Sequence, residues 1–355
     1  MKKGKTKILP FVIGAMFGAV LGFSMIVFEE NNIVSEINFM TSFIALILSI
    51  VIHIIIHELG HLEAGLLSGY EFSSFRIGSL TWVKEDGKIK LKRYKLPGTG
   101  GQCLMMPPGN FGEEYPVIFY NLGGVLVNII TSAMMLIPAL LLGSMELLLF
   151  AIVGILSACI NGIPMKPGGL ANDGMNALKL SKSSAARKYF YVQLKSNALL
   201  TQGVRMKDMP EEWFTLPENS DLENIHICTM LYLQANRLMD QGEYEQAEEH
   251  IEWILKNATG MIELYKMELR CELMFLKIIL DKYDEAEVLY TEALKKYIKA
   301  TSSFLSRRRL MYAYYHLVQK DNEKAEKELQ AFEKIKKTYP YKADLEMEEE
   351  LLLCS

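Results

Sequence analysis

The chain has 355 residues, of which 50% are hydrophobic and 23% charged, with a formal net charge of −4. That composition excludes a collagen-like, disulfide-scaffold or wholly disordered chain, and no strongly basic domain stands out to bind nucleic acid. The charge is unevenly spread: residues 1–174 carry 12 Lys/Arg and 12 Asp/Glu, and the remaining 181 residues carry 26 and 30.

A helix crossing a hydrocarbon core about 30 Å thick needs ~20 apolar residues. Four stretches fit, at 8–28, 40–56, 117–142 and 147–163. The first follows MKKGKTK but is long for the apolar part of a secretory signal and lacks an A-x-A end, so an uncleaved anchor is expected. Lys2, Lys3, Lys5 and Lys7 precede it, and Arg76, Lys84, Lys88, Lys90, Lys92, Arg93 and Lys95 lie between the second and third stretches. The connection between the first two holds only Glu29, Glu30 and Glu36, and that between the last two only Glu146. Basic residues stay on the cytoplasmic side. The expectation is a multi-pass protein of the cell membrane, embedded in a lipid bilayer, with both termini and the middle loop cytoplasmic.

The second stretch ends in His53-x-x-x-His57-Glu58-Leu-Gly-His61. On a helix His57 and His61 stand one turn apart on one face, so both imidazoles can reach one ion, with Glu58 beside it to take a proton from water. Uncompensated His and Glu in an apolar span are costly, which marks them as functional. A ligand trio running from His53 to His61 would stretch over ~12 Å, too far for one tetrahedral ion with bonds near ~2 Å. His53 is therefore expected behind the ligands or in packing.

Residues 80–94, around Asp86-Gly87, read as a β-hairpin, with Ile89 and Leu91 alternating with Lys88, Lys90 and Lys92. Gly98, Gly100, Gly101 and Pro107-Pro108-Gly109 then punctuate a segment expected to be irregular. The fourth stretch leaves the membrane through Asn161-x-x-Pro164 and reaches Asn172-Asp173-Gly174, where Asp173 is the only carboxylate. Two His and one carboxylate with an open position form a catalytic zinc set. The same Asp-Gly pair also fits an ordinary turn.

Residues 175–209 read as helix and 210–217 as linker. Beyond it Tyr244-Glu-Gln-Ala247, Tyr283-Asp-Glu-Ala286 and Asn322-Glu-Lys-Ala325 recur at 39-residue steps, each opening an amphipathic helix that follows a more apolar one. Arg307-Arg308-Arg309 is expected on a solvated helix face. The five cysteines form no C-x-x-C pair, so reduced thiols are expected.

A membrane-embedded H-E-x-x-H followed by a later span ending in N-x-x-P…D-G resembles the site-2 protease family of intramembrane zinc metalloproteases, over roughly residues 40–176. The resemblance implies one Zn2+ per chain held by His57, His61 and Asp173, with Glu58 as catalytic base. Gly124 and Asn128 are similar to the family's G-P-x-x-N element beside the cleft, although Val125 stands where the proline is usual. Eight residues separate Pro164 from Asp173, where the family commonly has four. Asn161 and His53 join Gly124 and Asn128 as candidates around the cleft, and the strand carrying Ile89 and Leu91 is a candidate edge for substrate, as similar hairpins in the family are. The helical repeats look like tetratricopeptide repeats, without that family's W-x-x-L-G-x-x-Y pattern.

The expected fold is mainly α: a polytopic membrane domain of four transmembrane helices with one β-hairpin, and cytosolic α-solenoid-like repeats. Its parts are an N-terminal anchor and outer loop (1–39), a membrane-embedded metalloprotease core (40–176), a helix and linker (177–219) and the repeat domain (220–355). The expected function is zinc-dependent cleavage of a membrane-spanning protein or peptide, a regulatory protein or a signal-peptide or pheromone precursor, near the cytoplasmic face. The repeats would engage a cytosolic protein partner or cap the membrane domain. The alternatives are a membrane-anchored repeat adaptor with a structural or inactive metal site, and a zinc-dependent transporter.

Overall fold

The computed structural model describes residues 18, 19, 22, 23, 26–30, 38–93, 100–166, 170–217 and 219–354. Most of the expected 8–28 span lies outside them, as do Lys2, Lys3, Lys5, Lys7, Glu36, Lys95 and Pro167. Where the sequence predicts four spans, three helices among the described residues are long and apolar enough to cross a membrane: α1 (Phe39–Leu67), α2 (Val117–Leu142) and α3 (Met145–Gly162). The chain is mainly helical, with one small sheet of strands β1 (Glu71–Ile77), β2 (Leu80–Glu85), β3 (Lys88–Arg93) and β4 (Gly101–Met106). It divides into two compact units, one drawn from Met1–Glu71, Gly100–Cys103 and Glu114–Arg187, the other from Phe72–Thr99, Leu104–Glu113 and Lys188–Ser355.

In the first unit α1 is amphipathic in the reverse sense of a helix in water. Its buried face is Ser42, Ser49, His53, His57, Gly60, His61 and Ala64. Its exposed face carries Phe43, Ile44, Ile47, Leu48, Val51 and Ile52. Apolar surface left outward and polar groups turned inward suit a hydrocarbon solvent. The start of α1 is capped by Asn38, whose Oδ1 accepts from the backbone of Met40 and Thr41 at 3.0 and 3.2 Å. Thr41 then donates to Glu146 Oε1 at 2.9 Å, joining this end of α1 to the start of α3. At Gly143, φ is +60°, and that left-handed residue lets α2 turn into α3 within two residues. Backbones of α1 and α2 meet at Gly60 and Gly123, where a Cβ on either would lie within 2.5 Å of the other's carbonyl oxygen. That approach brings the inward faces together.

The sheet has strand order β3-β2-β1-β4. The β2–β3 hairpin matches the sequence reading: Glu85 pairs Lys88 around Asp86 and Gly87, whose φ values of +50° and +74° are those of a tight two-residue turn. The irregular segment expected after it instead contains β4, whose Cys103 and Met105 are buried. Gly and Pro on both sides of so short a strand conceal it from pattern reading. The helix expected over 175–209 is two, α4 (Asp173–Lys182) and α5 (Ser184–Thr201), broken at the extended Ser183.

The rest of the second unit is helical: α6 (Ile225–Gln241), α7 (Tyr244–Asn257), α8 (Glu263–Ile279), α9 (Tyr283–Leu289), α10 (Glu292–Ala300), α11 (Leu305–Ala313), α12 (Asn322–Lys336) and α13 (Lys342–Leu352). The recurring Ala247, Ala286 and Ala325 are all buried, in α7, α9 and α12. The second amphipathic helix is split at Thr291, whose side chain caps α10 by accepting from Leu294 N at 3.3 Å. Arg307 and Arg309 are not on a solvated face. Each is 1% exposed. Arg309 donates to Glu348 at 2.7 Å and Glu272 at 2.6 Å and lies 3.8 Å from the Phe275 ring centroid, while Arg307 pairs with Glu268. α11 is covered on opposite sides, so bases two residues apart are both enclosed and must be neutralised there.

Replacing Arg309 by Leu leaves Glu272 and Glu348 with no shared partner in a buried site, with an expected loss of ~3–5 kcal/mol. The three tryptophans, Trp82, Trp213 and Trp253, all belong to this unit, so fluorescence-detected urea unfolding reads the effect. An unchanged midpoint would contradict the account of this network.

Candidate metal centre

One helical turn separates His57 from His61, and the Nε2 atoms of their rings face each other at 3.1 Å. Asp173 Oδ2 completes a triangle, 3.0 Å from His57 Nε2 and 3.5 Å from His61 Nε2. Three ligand atoms bound tetrahedrally at ~2.0–2.1 Å to one ion would stand ~3.3 Å apart. The triangle therefore fits a single metal ion. Asp173 Oδ2 supports the same conclusion: it is buried and accepts no well-aligned hydrogen bond, although both imidazoles are in reach. Burial raises the Asp173 carboxyl, but the two imidazoles outweigh it and bring the group down to about 2, so it is charged at neutral pH.

Asp173 owes its place to its neighbour. Asn172 caps α4, its Oδ1 accepting from Met175 N at 3.0 Å and from Met165 N at 3.1 Å. Its Nδ2 donates to the carbonyls of Ile160 at 2.6 Å and Ile163 at 2.7 Å. Those are carbonyls left unpaired by the end of α3, so one side chain ties the C-terminus of α3 to the N-terminus of α4. Asp173 is the first residue of that helix, where the backbone dipole favours a negative charge. It is not in the plain turn that an Asp-Gly pair also permits.

The imidazoles are held from behind. His61 Nδ1 lies 2.8 Å from the Tyr120 carbonyl. A carbonyl can only accept, so Nδ1 carries the proton and Nε2 keeps its lone pair for the centre. Tyr120 in turn donates its hydroxyl to the Cys103 carbonyl at 2.9 Å, fixing the start of β4 against α2. Gly124 lies against the ring of His57: a Cβ there would come within 2.6 Å of Cε1 and Nδ1. Gly101 packs likewise on Glu58, with an added Cβ 2.5 Å from its Cγ. Burial raises the Cys103 thiol, and the nearby Glu58 carboxylate raises it further.

Other residues singled out from the sequence fall in different places. His53 and Asn128 meet each other behind His57, with a ring-to-amide distance of 3.1 Å. Asn161 donates to the Ser157 carbonyl of its own helix at 3.0 Å. Ile89 and Leu91 are 64% and 58% exposed on β3, at the opposite edge of the sheet from β4. Sequence reasoning did not single out Tyr120, Gly101 or the role of Asn172. Only the last had a local signal, an Asn before an acid and an apolar run. A second group of carboxylates, Glu248, Glu252 and Glu285, also comes together, but Lys277 Nζ already stands among them, reaching all three at 2.5, 2.7 and 2.5 Å.

No family model, curated protein or solved structure matches this chain.

Asn172→Ala removes four hydrogen bonds that place Asp173, and metal affinity is expected to fall by ~10–100-fold. Competition with a chromophoric chelator measures it. Wild-type affinity in the variant would remove Asn172 from the account.

Proposed function

We propose that the chain is an intramembrane zinc metalloendopeptidase that cleaves a membrane-spanning protein or peptide near the cytoplasmic face. The observation that carries this reading is the convergence of His57, His61 and Asp173, with Glu58 in the adjoining position, on helices whose outer surface is apolar. Zinc matches the donor set of two imidazoles and one carboxylate; when bound there it supplies Lewis acidity toward a peptide carbonyl and makes water a better nucleophile at neutral pH. Glu58 takes the proton that the attacking water loses and returns it to the leaving amine. His57, His61 and the charged Asp173 hold the ion, and the Tyr120 carbonyl keeps His61 in the tautomer this requires.

A transmembrane helix shields its own amides, so the substrate must unwind before the reaction. An extended segment can pair with a sheet edge. β4 is the edge strand whose Gly101 lies against Glu58, which makes it a better candidate for this pairing than the β3 edge that carries Ile89 and Leu91. The lysine-rich hairpin and the basic N-terminus support a four-span topology with both termini cytoplasmic. Helices from α6 onward are read as an α-solenoid over 220–355 that recruits a cytosolic protein.

In lipid vesicles, zinc-loaded wild type is expected to release peptide products from single-span substrates. Glu58→Gln is expected to do so ~10²–10⁴-fold more slowly at equal zinc content. Products resolved by mass spectrometry decide the matter. Equal rates for the two forms, or no product from any substrate by the zinc-loaded wild type, would leave an adaptor with a structural metal site.

A further inference from the structure

Behind His57 a chain of polar contacts runs through all three apolar helices. His53, 1% exposed in α1, places Nε2 2.9 Å from the Phe150 carbonyl of α3 and Nδ1 3.1 Å from one end of the Asn128 amide in α2. The other end of that amide lies 3.4 Å from His57 Nδ1 and 3.1 Å from Ser157 Oγ. Room for the His53 ring comes from Gly154, where a Cβ would sit 2.3 Å from its Cε1 and 2.0 Å from Ser132 Oγ.

The two orientations of the amide have opposite consequences for the metal centre. With Oδ1 toward His53, that ring must donate from Nδ1 as well as from Nε2, because the Phe150 carbonyl also needs a proton. His53 would then be a cation whose hydrogen-bond partners among the described residues are a carbonyl and an amide, with the Phe150 ring 4.3 Å away and no carboxylate bonded to it, a costly state between apolar helices. Nδ2 would meanwhile face His57 Nδ1 as a donor, forcing the His57 proton onto Nε2, which is the atom turned toward Asp173 and His61. That arrangement blocks a ligand position. Turning the amide over leaves the heavy atoms almost where they were and satisfies every partner. Nδ2 donates to Nδ1 of a neutral His53, and Oδ1 accepts from His57 Nδ1–H and from the Ser157 hydroxyl, which can serve as donor in either case.

We propose that Asn128 is a positioning residue: fixed by His53 and the Phe150 carbonyl, its amide oxygen holds His57 in the Nδ1–H tautomer and so frees Nε2 for the metal. The inference rests on the reading of His57, His61 and Asp173 as metal ligands. It assigns to Asn128 the part that the Tyr120 carbonyl plays for His61, with the difference that an amide has to be oriented by a third group. His53 is that group, although its ring is too deep to be a ligand.

The test uses the full chain in detergent, with zinc alone as the probe. Chelator competition on wild type, Asn128→Leu and Asn128→Asp gives affinities, and spectra of ¹⁵N-histidine-labelled, zinc-loaded wild type give tautomers. The Leu variant has no acceptor for His57 and is expected to bind zinc ~10–100-fold more weakly. The Asp variant still accepts from His57 Nδ1–H and is expected to stay close to wild type, whereas a packing role would leave the nearly isosteric Leu variant close to wild type as well. In the spectra His53 is expected to carry its proton on Nε2 and His57 on Nδ1. Wild-type affinity in Asn128→Leu, an Asp variant as weak as the Leu variant, or His53 protonated on Nδ1 would each overturn the assignment. Should Asn128→Leu fail to fold, the Asp variant and the wild-type tautomers decide it. A wild type that binds no zinc overturns the ligand reading itself and is thereby distinguishable from failure of the Asn128 role alone.

Discussion

Two imidazole nitrogens and a carboxylate oxygen, each within 3.5 Å of the others, form the constraint on which the membrane-helix unit depends. Lone pairs so close together repel unless protons or a cation lie between them, and an apolar surrounding strengthens the repulsion. The surrounding chain is arranged to hold them there nonetheless. Gly60 and Gly123 let α1 and α2 approach, Asn172 ties α4 to the end of α3, and a carbonyl acceptor orients His61. Each of these contacts uses a small residue or a fully satisfied polar one, as an environment without water demands.

The second unit meets a related demand differently. Its helices bury Arg307 and Arg309 with Glu268, Glu272 and Glu348, and Lys277 with Glu248. Apolar residues of similar volume often stabilise such positions as well or better, so burial of pairs is weak evidence for stability. What the pairs do supply is dependence of one helix on another: α8, α11 and α13 each contribute a charge that the others neutralise.

Much of the candidate site was legible because its signals are local. The spacing of His57 and His61 makes them neighbours on any helix, and the long apolar run before them marks that helix. The Asp86-Gly87 turn and the small alanines of the repeats are likewise short-range features. The remainder depends on contacts between residues distant in the chain. Nothing near Tyr120 says that its carbonyl will meet His61, and nothing near Gly101 says that β4 will cross Glu58. The burial of Arg307 and Arg309 is hidden for the same reason: three consecutive bases look solvated until the acids from α8 and α13 are brought to them. Length alone excludes His53 as a ligand, and the contact with Asn128 that gives it another use crosses from α1 to α2.

The central claim is that His57, His61 and Asp173 hold one metal ion. X-ray absorption at the zinc edge of the purified, zinc-loaded chain tests it most directly. One zinc per chain is predicted, with nitrogen and oxygen ligands at ~2.0–2.2 Å, two of them imidazoles, and no sulfur. A shell containing sulfur at ~2.3 Å, or an unchanged spectrum and stoichiometry after His57→Ala and Asp173→Ala, would place the metal elsewhere and contradict the account.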